Sequence, residues 1–285
     1  MTEDSMVGKV VVVTGGTAGI GRMTARELAR RGAAVVVVGR DRDRGGDTVQ
    51  ELNALGGTGC GAFVRADLSV MAEVRRLAET VAAEWPRVDV LINNAGAMFG
   101  TRQRTADGIE ATFALNHLSY FLLTHLMLPT LKEVPGSRIV NVASDAHFGV
   151  RLDFDDLESA RRYSGYRAYK RSKLCNLYFT YELARRLDGS GPVVNALHPG
   201  FVATEIGVRN RWVPRPLWRL FTLFAISEED GARTPVHLAA SAEVAGVSGQ
   251  YFSKCRPVRS SAVSQDEDAA RRLWGISAGM TGVGV

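Results

Sequence analysis

Cysteine is scarce in this chain of 285 residues: Cys60, Cys175 and Cys255 stand far apart, with no C-x-x-C pair among them. That spacing supports neither a disulfide framework nor a metal site, and it fits a reducing cytoplasm. No charged start followed by a short apolar run precedes the first candidate strand, so no secretory signal is expected. Internal repeats, low-complexity tracts and a linker are also missing, which argues for one domain over residues 1–285. Between Glu110 and Lys132 there is no acidic or basic side chain, a length that could span a bilayer. Asn116, His117, Ser119, His125 and Pro129 interrupt it, so a helix buried in a core is expected rather than an integral membrane segment. Charge of one sign is in small excess: 35 Lys+Arg against 30 Asp+Glu leave +5. Arg26, Arg30, Arg31, Arg75, Arg76, Arg185 and Arg186 are scattered over helix ends and faces, the pattern of solvated surface, and no nucleic-acid partner is expected.

What is present begins with Val10-Val11-Val12-Val13-Thr14-Gly15-Gly16-Thr17-Ala18-Gly19-Ile20-Gly21. A β-branched run without polar alternation suits a central parallel strand covered on both faces, and the glycines then turn it into a helix. Gly15 permits a tight turn, Gly19 leaves room for a pyrophosphate against the backbone, and Gly21 lets the helix lie close on the strand. The orphan N–H groups of that helix, with its dipole, favour negative charge. The spacing is G-x-x-x-G-x-G, not the commonest dinucleotide fingerprint, so the motif has meaning only in its strand-to-helix setting.

Ile20, Thr24, Ala25, Leu28 and Ala29 recur at helical spacing, and Gly32 closes that helix. Further strands are expected at 34–39, 61–65, 88–93, 138–143, 193–197 and 249–252. Ser69 reads as the cap of a helix with Val70, Val74, Leu77 and Val81 as its buried stripe, ended by Pro86. A further helix is expected at 167–187, and Ser227-Glu228-Glu229-Asp230 reads as a capping box. The alternation predicts an α/β fold: a Rossmann-type, doubly wound parallel sheet of about seven strands with helices on both faces.

Tyr169 and Lys173 lie one turn apart on a predicted helix and so share a face. A phenol is a poor base at neutral pH, whereas a neighbouring ammonium favours the phenolate and lowers its pKa. Ser144, just past a strand end, can hydrogen-bond a carbonyl oxygen at the carboxyl edge of the sheet, where α/β ligands sit. Tyrosine and lysine at this spacing are common in exposed helices, so the pair acquires meaning only from its context.

The whole set of pieces resembles the short-chain dehydrogenase/reductase family: Thr14 to Gly21, Asp67-Leu68, Asn93-Asn94-Ala95-Gly96, Asn116, Ser144, Tyr169 to Lys173, and Pro199-Gly200, in the family's order. The resemblance implies that Tyr169 is the general acid/base, that Ser144 polarises the substrate oxygen, and that Lys173 lowers the Tyr169 pKa while holding the nicotinamide ribose. It also implies that Asn116 kinks its helix and anchors a water. Cofactor contacts are expected from Gly15, Thr17, Gly19, Ile20, Gly21, Leu68, Ala95, Gly96, Pro199 and Gly200, from Asp67 at the adenine, and from Asn94 on the adenosine ribose side. Val202 and Thr204 are expected at the carboxamide. His198 is expected to be structural, since no carboxylate or nucleophile is patterned around it.

Charge bears on which nucleotide is used. A carboxylate usually ends the second strand where NAD binds. Here that corner reads Gly39-Arg40, with Arg22 at the start of the first helix, a pair suited to the 2′-phosphate of NADP rather than to NAD. Asp41 and Asp43 lie close enough for one to reach the ribose.

Asn116 to Thr124, Phe154-Asp155-Asp156-Leu157 and Leu197-His198-Pro199-Gly200 look like the retinol dehydrogenase branch, whose members commonly carry an N-terminal membrane anchor. Only nine residues precede the first strand here. The expectation is therefore a cytoplasmic, NADP-dependent ketoreductase or alcohol dehydrogenase for a mostly apolar carbonyl or alcohol. Residues 201–225, with Trp212, Pro214, Pro216, Trp218 and Phe221, read as a substrate lid broken by proline, in preference to a membrane-resting helix. The alternative, an NADP-sensing regulatory protein on the same fold, has no use for Asn116, Ser144, Tyr169 and Lys173 together. A homo-oligomer is expected, formed on the tyrosine-bearing helix through Leu174, Leu177, Tyr178 and Tyr181.

Overall fold

The valine run forms β1 (Val10–Thr14), with Val11, Val12 and Val13 fully buried. Side chains on a strand alternate between faces, so a strand apolar at every position needs cover on both sides. Val12 joins a core with Val74, Leu118, Leu122 and Leu174, while Val11 and Val13 join the opposite core with Ala25, Leu28 and Val236. The computed structural model describes residues 5–55, 61–200 and 226–284.

From β1 the chain runs through α1 (Gly19–Arg30), β2 (Ala34–Gly39), α2 (Arg42–Ala54), β3 (Gly61–Arg65), α3 (Met71–Glu84) and β4 (Val90–Asn93). A helical stretch follows as α4 (Ala111–Phe113), a π-helical turn at Ala114–Leu118 and α5 (Ser119–Lys132), leading to β5 (Arg138–Val142). Then come α6 (Gly165–Leu187), β6 (Val193–His198), α7 (Glu228–Ala240), β7 (Tyr251–Ser253), β8 (Arg256–Pro257) and α8 (Glu267–Thr281). Among the described residues the sheet order is β3-β2-β1-β4-β5-β6-β7-β8, parallel throughout except for β8 against β7. Strand order reverses between β1 and β4, and the crevice beyond their carboxyl ends is where this architecture takes its ligands.

The doubly wound α/β expectation is met, with one short antiparallel strand more than anticipated. Three boundaries differ from expectation: β4 starts at Val90, β7 covers Tyr251–Ser253, and α6 starts at Gly165. The uncharged stretch is buried in the core, and among the described residues no helix is long and apolar enough to cross a membrane. Ser227 does cap α7, accepting from the Asp230 N–H at 3.0 Å.

Ser69 does not cap α3. Its hydroxyl donates to Asp67 at 2.7 Å, and the orphan N–H of Met71 is taken by Asp107 at 2.9 Å, a carboxylate distant in sequence. The residues expected to form a dimer face are spent inside the chain. Leu174, Leu177, Tyr178 and Tyr181 are buried, with the Tyr178 hydroxyl donating to the Val263 carbonyl and Tyr181 to Ser260, in the segment that leads into α8.

Candidate active site

The site is assembled at the carboxyl edge of β1, β4, β5 and β6. At the end of β1 the Thr14 hydroxyl donates to the Ile92 carbonyl at 3.2 Å and accepts from the N–H groups of Asn94 and Ala95 at 2.8 and 3.1 Å. The stretch after β4 is thereby fastened beside the glycine turn. Asn94 closes the arrangement from its side, donating to the Thr14 and Gly15 carbonyls at 2.9 and 3.2 Å. Gly15 and Gly19 have φ of +65° and +55°, the left-handed region that glycine enters without strain. A Cβ on Gly21 would strike the Gly15 carbonyl and the Asn94 amide, so helix and turn pack at backbone distance. Ala18 at the head of α1 has no side-chain cap, and no acid lies in the first turn. The positive end of α1 therefore faces the crevice uncompensated. Thr17 packs over Gly39, Leu68 is buried in the core, and Gly200 has φ +96°.

Around β2 the charged groups are already partly paired. Arg22 bonds Glu51 through its Nε at 2.7 Å, while Arg40 sits 3.8 Å from Asp67. Asp67 is otherwise occupied with the Ser69 N–H and hydroxyl. Asp41 caps α2, accepting from Asp43 and Arg44 N–H groups at 3.1 and 3.2 Å.

Ser144, Tyr169, Lys173 and Asn116 come together on β5, α6 and the π-helical turn. The Ser144 hydroxyl accepts from the Ala146 N–H at 3.1 Å and lies near enough to Tyr169 to act on its pKa. Lys173 is buried, its Nζ donating to the Val142 carbonyl at 2.8 Å and lying 5.6 Å from the Tyr169 ring centre. Asn116 accepts from the Ala97 N–H at 2.8 Å and donates to the Ala97 carbonyl and the Ser172 hydroxyl, both at 2.9 Å. Ser172 in turn donates to the Tyr169 carbonyl at 2.7 Å, so the π-helical turn braces the backbone of the tyrosine through Asn116 and Ser172. Asn116 lies within the π-helical turn Ala114–Leu118.

The electrostatics differ from expectation. Burial raises the Tyr169 pKa above the ordinary phenol value, opposed by the Ser144 hydrogen bond. Lys173 does not reverse this, because burial pulls its own pKa down to about 7 and weakens its charge at neutral pH.

His198 has the carboxylate that the linear pattern did not offer. Its Nε2 lies 3.3 Å from Asp145, whose N–H donates back to His198 Nδ1 at 3.3 Å, and Tyr251 donates to the same carboxylate at 2.7 Å. The pairing of Val142 with Leu197 sets these strand ends side by side. Tyr120, another residue outside the expected set, has its ring centre 5.9 Å from the Lys173 Nζ and its hydroxyl buried without a partner. Asp145 directly follows Ser144, which was the one available signal. Val202, Thr204 and the expected lid at 201–225 lie outside the described residues.

Comparison with known proteins agrees with this fold. The short chain dehydrogenase family matches residues 9–212. This chain belongs to that family. Retinol dehydrogenase 12 of Mus musculus is 43% identical over 282 residues, covering 99% of this chain and 89% of that one. Among solved structures, an uncharacterized protein from Mycobacterium paratuberculosis superposes with a TM-score of 0.80 at 34% identity, covering 99% of this chain and 96% of that one. The Pseudomonas aeruginosa RhlG/NADP active-site complex superposes with a TM-score of 0.72 at 28% identity, covering 88% and 96%. As a short chain dehydrogenase, the protein is an oxidoreductase that uses a nicotinamide cofactor on a small-molecule substrate.

Proposed function

We propose that this short chain dehydrogenase is NADP-dependent and interconverts a mostly apolar ketone or aldehyde with its alcohol. The observation that carries the reading is the convergence of Ser144, Tyr169 and Lys173 beside the glycine cradle. The cradle suits a dinucleotide: backbone glycines in the left-handed region, a helix end with no cap or acid, and a wall at Gly21 that no Cβ fits. Gly15, Gly19 and the α1 amides would hold the pyrophosphate, and Lys173 the nicotinamide ribose. When bound, the nicotinamide supplies or accepts the hydride.

The chain's own groups handle the proton. Ser144 holds the substrate oxygen, and Tyr169 Oη gives it a proton in reduction or takes one in oxidation. A tyrosine held protonated by burial is a competent acid across neutral pH. NADP is favoured over NAD because Asp41 is committed to its helix cap and Arg40 is half-exposed with one long ion pair. The NADP-bound solved relative supports the same choice. The apolar substrate is supported by the retinol dehydrogenase relatives, whose names give an alcohol of that kind, and by the Trp- and Phe-bearing stretch at 201–225.

Titration of both nucleotides, followed by fluorescence, tests the reading. NADPH binds more tightly than NADH, and Arg40→Ala removes most of the difference. Equal affinities in the parent protein overturn the charge argument. A screen of apolar ketones, aldehydes and alcohols for changes in NADPH absorbance then identifies the substrate class.

A further inference from the structure

On the side of α6 next to its tyrosine-bearing face lies a cavity of about 450 Å3. Its walls include Ser164, Tyr166, Arg167, Lys170 and Arg171 from the head of α6, faced by Arg151 from the segment after the Ser144 turn. Among the described residues these four cations make no ion pair. Of the neighbouring carboxylates, Glu158 pairs with Arg102 and Asp155 with Arg272, each at 3.6 Å, and Asp156 accepts from the N–H groups of Ala160 and Arg161 while Arg171 and Arg161 hold its carboxyl in the charged form from a distance. Arg171 reaches only the Asp156 carbonyl and the Ser159 hydroxyl, both at 3.4 Å, and its Nε is buried without a partner. That nitrogen is closed off from the cavity, which Arg171 lines with the rest of its side chain.

The helix end adds to this. Ser164 forms no side-chain cap on α6, and no acidic residue lies in the first turn, so the dipole of a 23-residue helix ends against the cavity uncompensated. Tyr166 is 52% exposed, with Lys170 5.6 Å from its ring centre, giving a flat apolar platform beside the cations. Four cations, free helix amides and an exposed ring match a ligand with a dianionic head and an apolar body.

We propose that this cavity is a binding site for a phosphate ester, separate from the nucleotide crevice. A phosphate carries about −1.5 to −2 charges at pH 7 and presents three acceptor oxygens, which planar guanidinium groups meet in pairs. A carboxylate has one charge and leaves more of the cationic set unneutralised. Tyr166 stands one turn before Tyr169, so the ester lies alongside the catalytic face without contacting Lys173.

Phenyl phosphate titrated by calorimetry is the probe. The parent protein binds it, phenol does not replace it, and the Arg167→Gln/Lys170→Gln double variant binds at least tenfold more weakly. Arg151→Gln, on the opposite wall, weakens binding by a smaller factor, which guards against a local defect at the head of α6. Arg40→Ala leaves phenyl phosphate affinity within twofold, so loss of NADPH preference and loss of this site are read separately. Unchanged affinity in the double variant overturns the proposal. Binding to phosphatidylglycerol vesicles without binding to phenyl phosphate overturns it too, since the cations then serve a lipid surface rather than a pocket.

Discussion

Tyr169 concentrates the chemistry at the scale of single residues. Tyr169→Phe keeps the ring and its packing but removes the group placed to protonate the developing alkoxide. Turnover is expected to fall by about 10²–10⁴-fold with nucleotide affinity nearly unchanged, as steady-state rates beside fluorescence titrations will report. Lys173→Ala, by contrast, is expected to impair both turnover and nucleotide affinity. A variant lacking the tyrosine hydroxyl that turns over at the parent rate would remove the proposed mechanism. A second residue prediction concerns His117, whose Nε2 sits 2.8 Å from the Ser277 hydroxyl and whose burial pulls its pKa down to about 3. Unfolded, the same side chain takes its proton near pH 6.5, so the unfolded chain binds more protons between those values. Stability is therefore whole above about pH 6.5 and declines as pH falls toward 3, by about 1.4 kcal/mol per pH unit at most from this group. Burial pulls His125, His147 and His198 in the same direction. Urea midpoints at pH 7 and pH 4.5 measure the loss, and His117→Gln is expected to reduce it.

Individual elements are set by local pattern and finished by distant partners. The apolar stripe of α3 is a property of its own residues, yet its head is satisfied by Asp107. Asp107→Ala is expected to cost about 1 kcal/mol, the usual worth of an N-cap, while Ser69→Ala leaves the cap intact. Thermal or urea unfolding of both variants distinguishes them, and equal losses would return the cap to Ser69. The strands of the sheet centre carry a polar ladder that no periodicity shows: Asn93 donates to Thr124 and Asn141 at 3.0 and 2.9 Å, and Asn141 donates to Thr180 at 3.0 Å. These asparagines sit where hydropathy expects apolar residues. Their amide N–H groups are met by partners from α5, β5 and α6, while the Asn93 side-chain oxygen is buried without a partner.

Across the whole molecule, α8 adds an outer layer on α6. Trp274 packs on Phe121 and Phe179, with ring centres 5.1 and 6.0 Å apart, under Arg186 at 4.3 Å. Trp274→Ala is expected to cost about 3–5 kcal/mol by leaving a cavity in that layer, measured from urea unfolding. A loss below about 1 kcal/mol would mean that α8 contributes little to the core. Any subunit contact on α6 must use residues other than those α8 and its leading segment already cover, and light scattering at micromolar concentration tests for the expected oligomer.

The sequence by itself determined the strand–helix alternation and the glycine turn after β1, because each is written in short-range spacing: a β-branched run and a run of glycines. Ser144, Tyr169 and Lys173 were legible as a set only through the family resemblance, since one helical turn relates the tyrosine and lysine but no local spacing ties them to Ser144. Tertiary structure alone decided the rest. Asp145 meets His198 only through the pairing of β5 with β6, Asp107 reaches α3 only through the fold, and the partners of Leu174 to Tyr181 arrive with the last helix. Tertiary structure also set the sign of the Tyr169 shift. Spacing places an ammonium one turn away, but how much of its charge survives depends on desolvation, and burial is a property of the assembled core rather than of the linear chain.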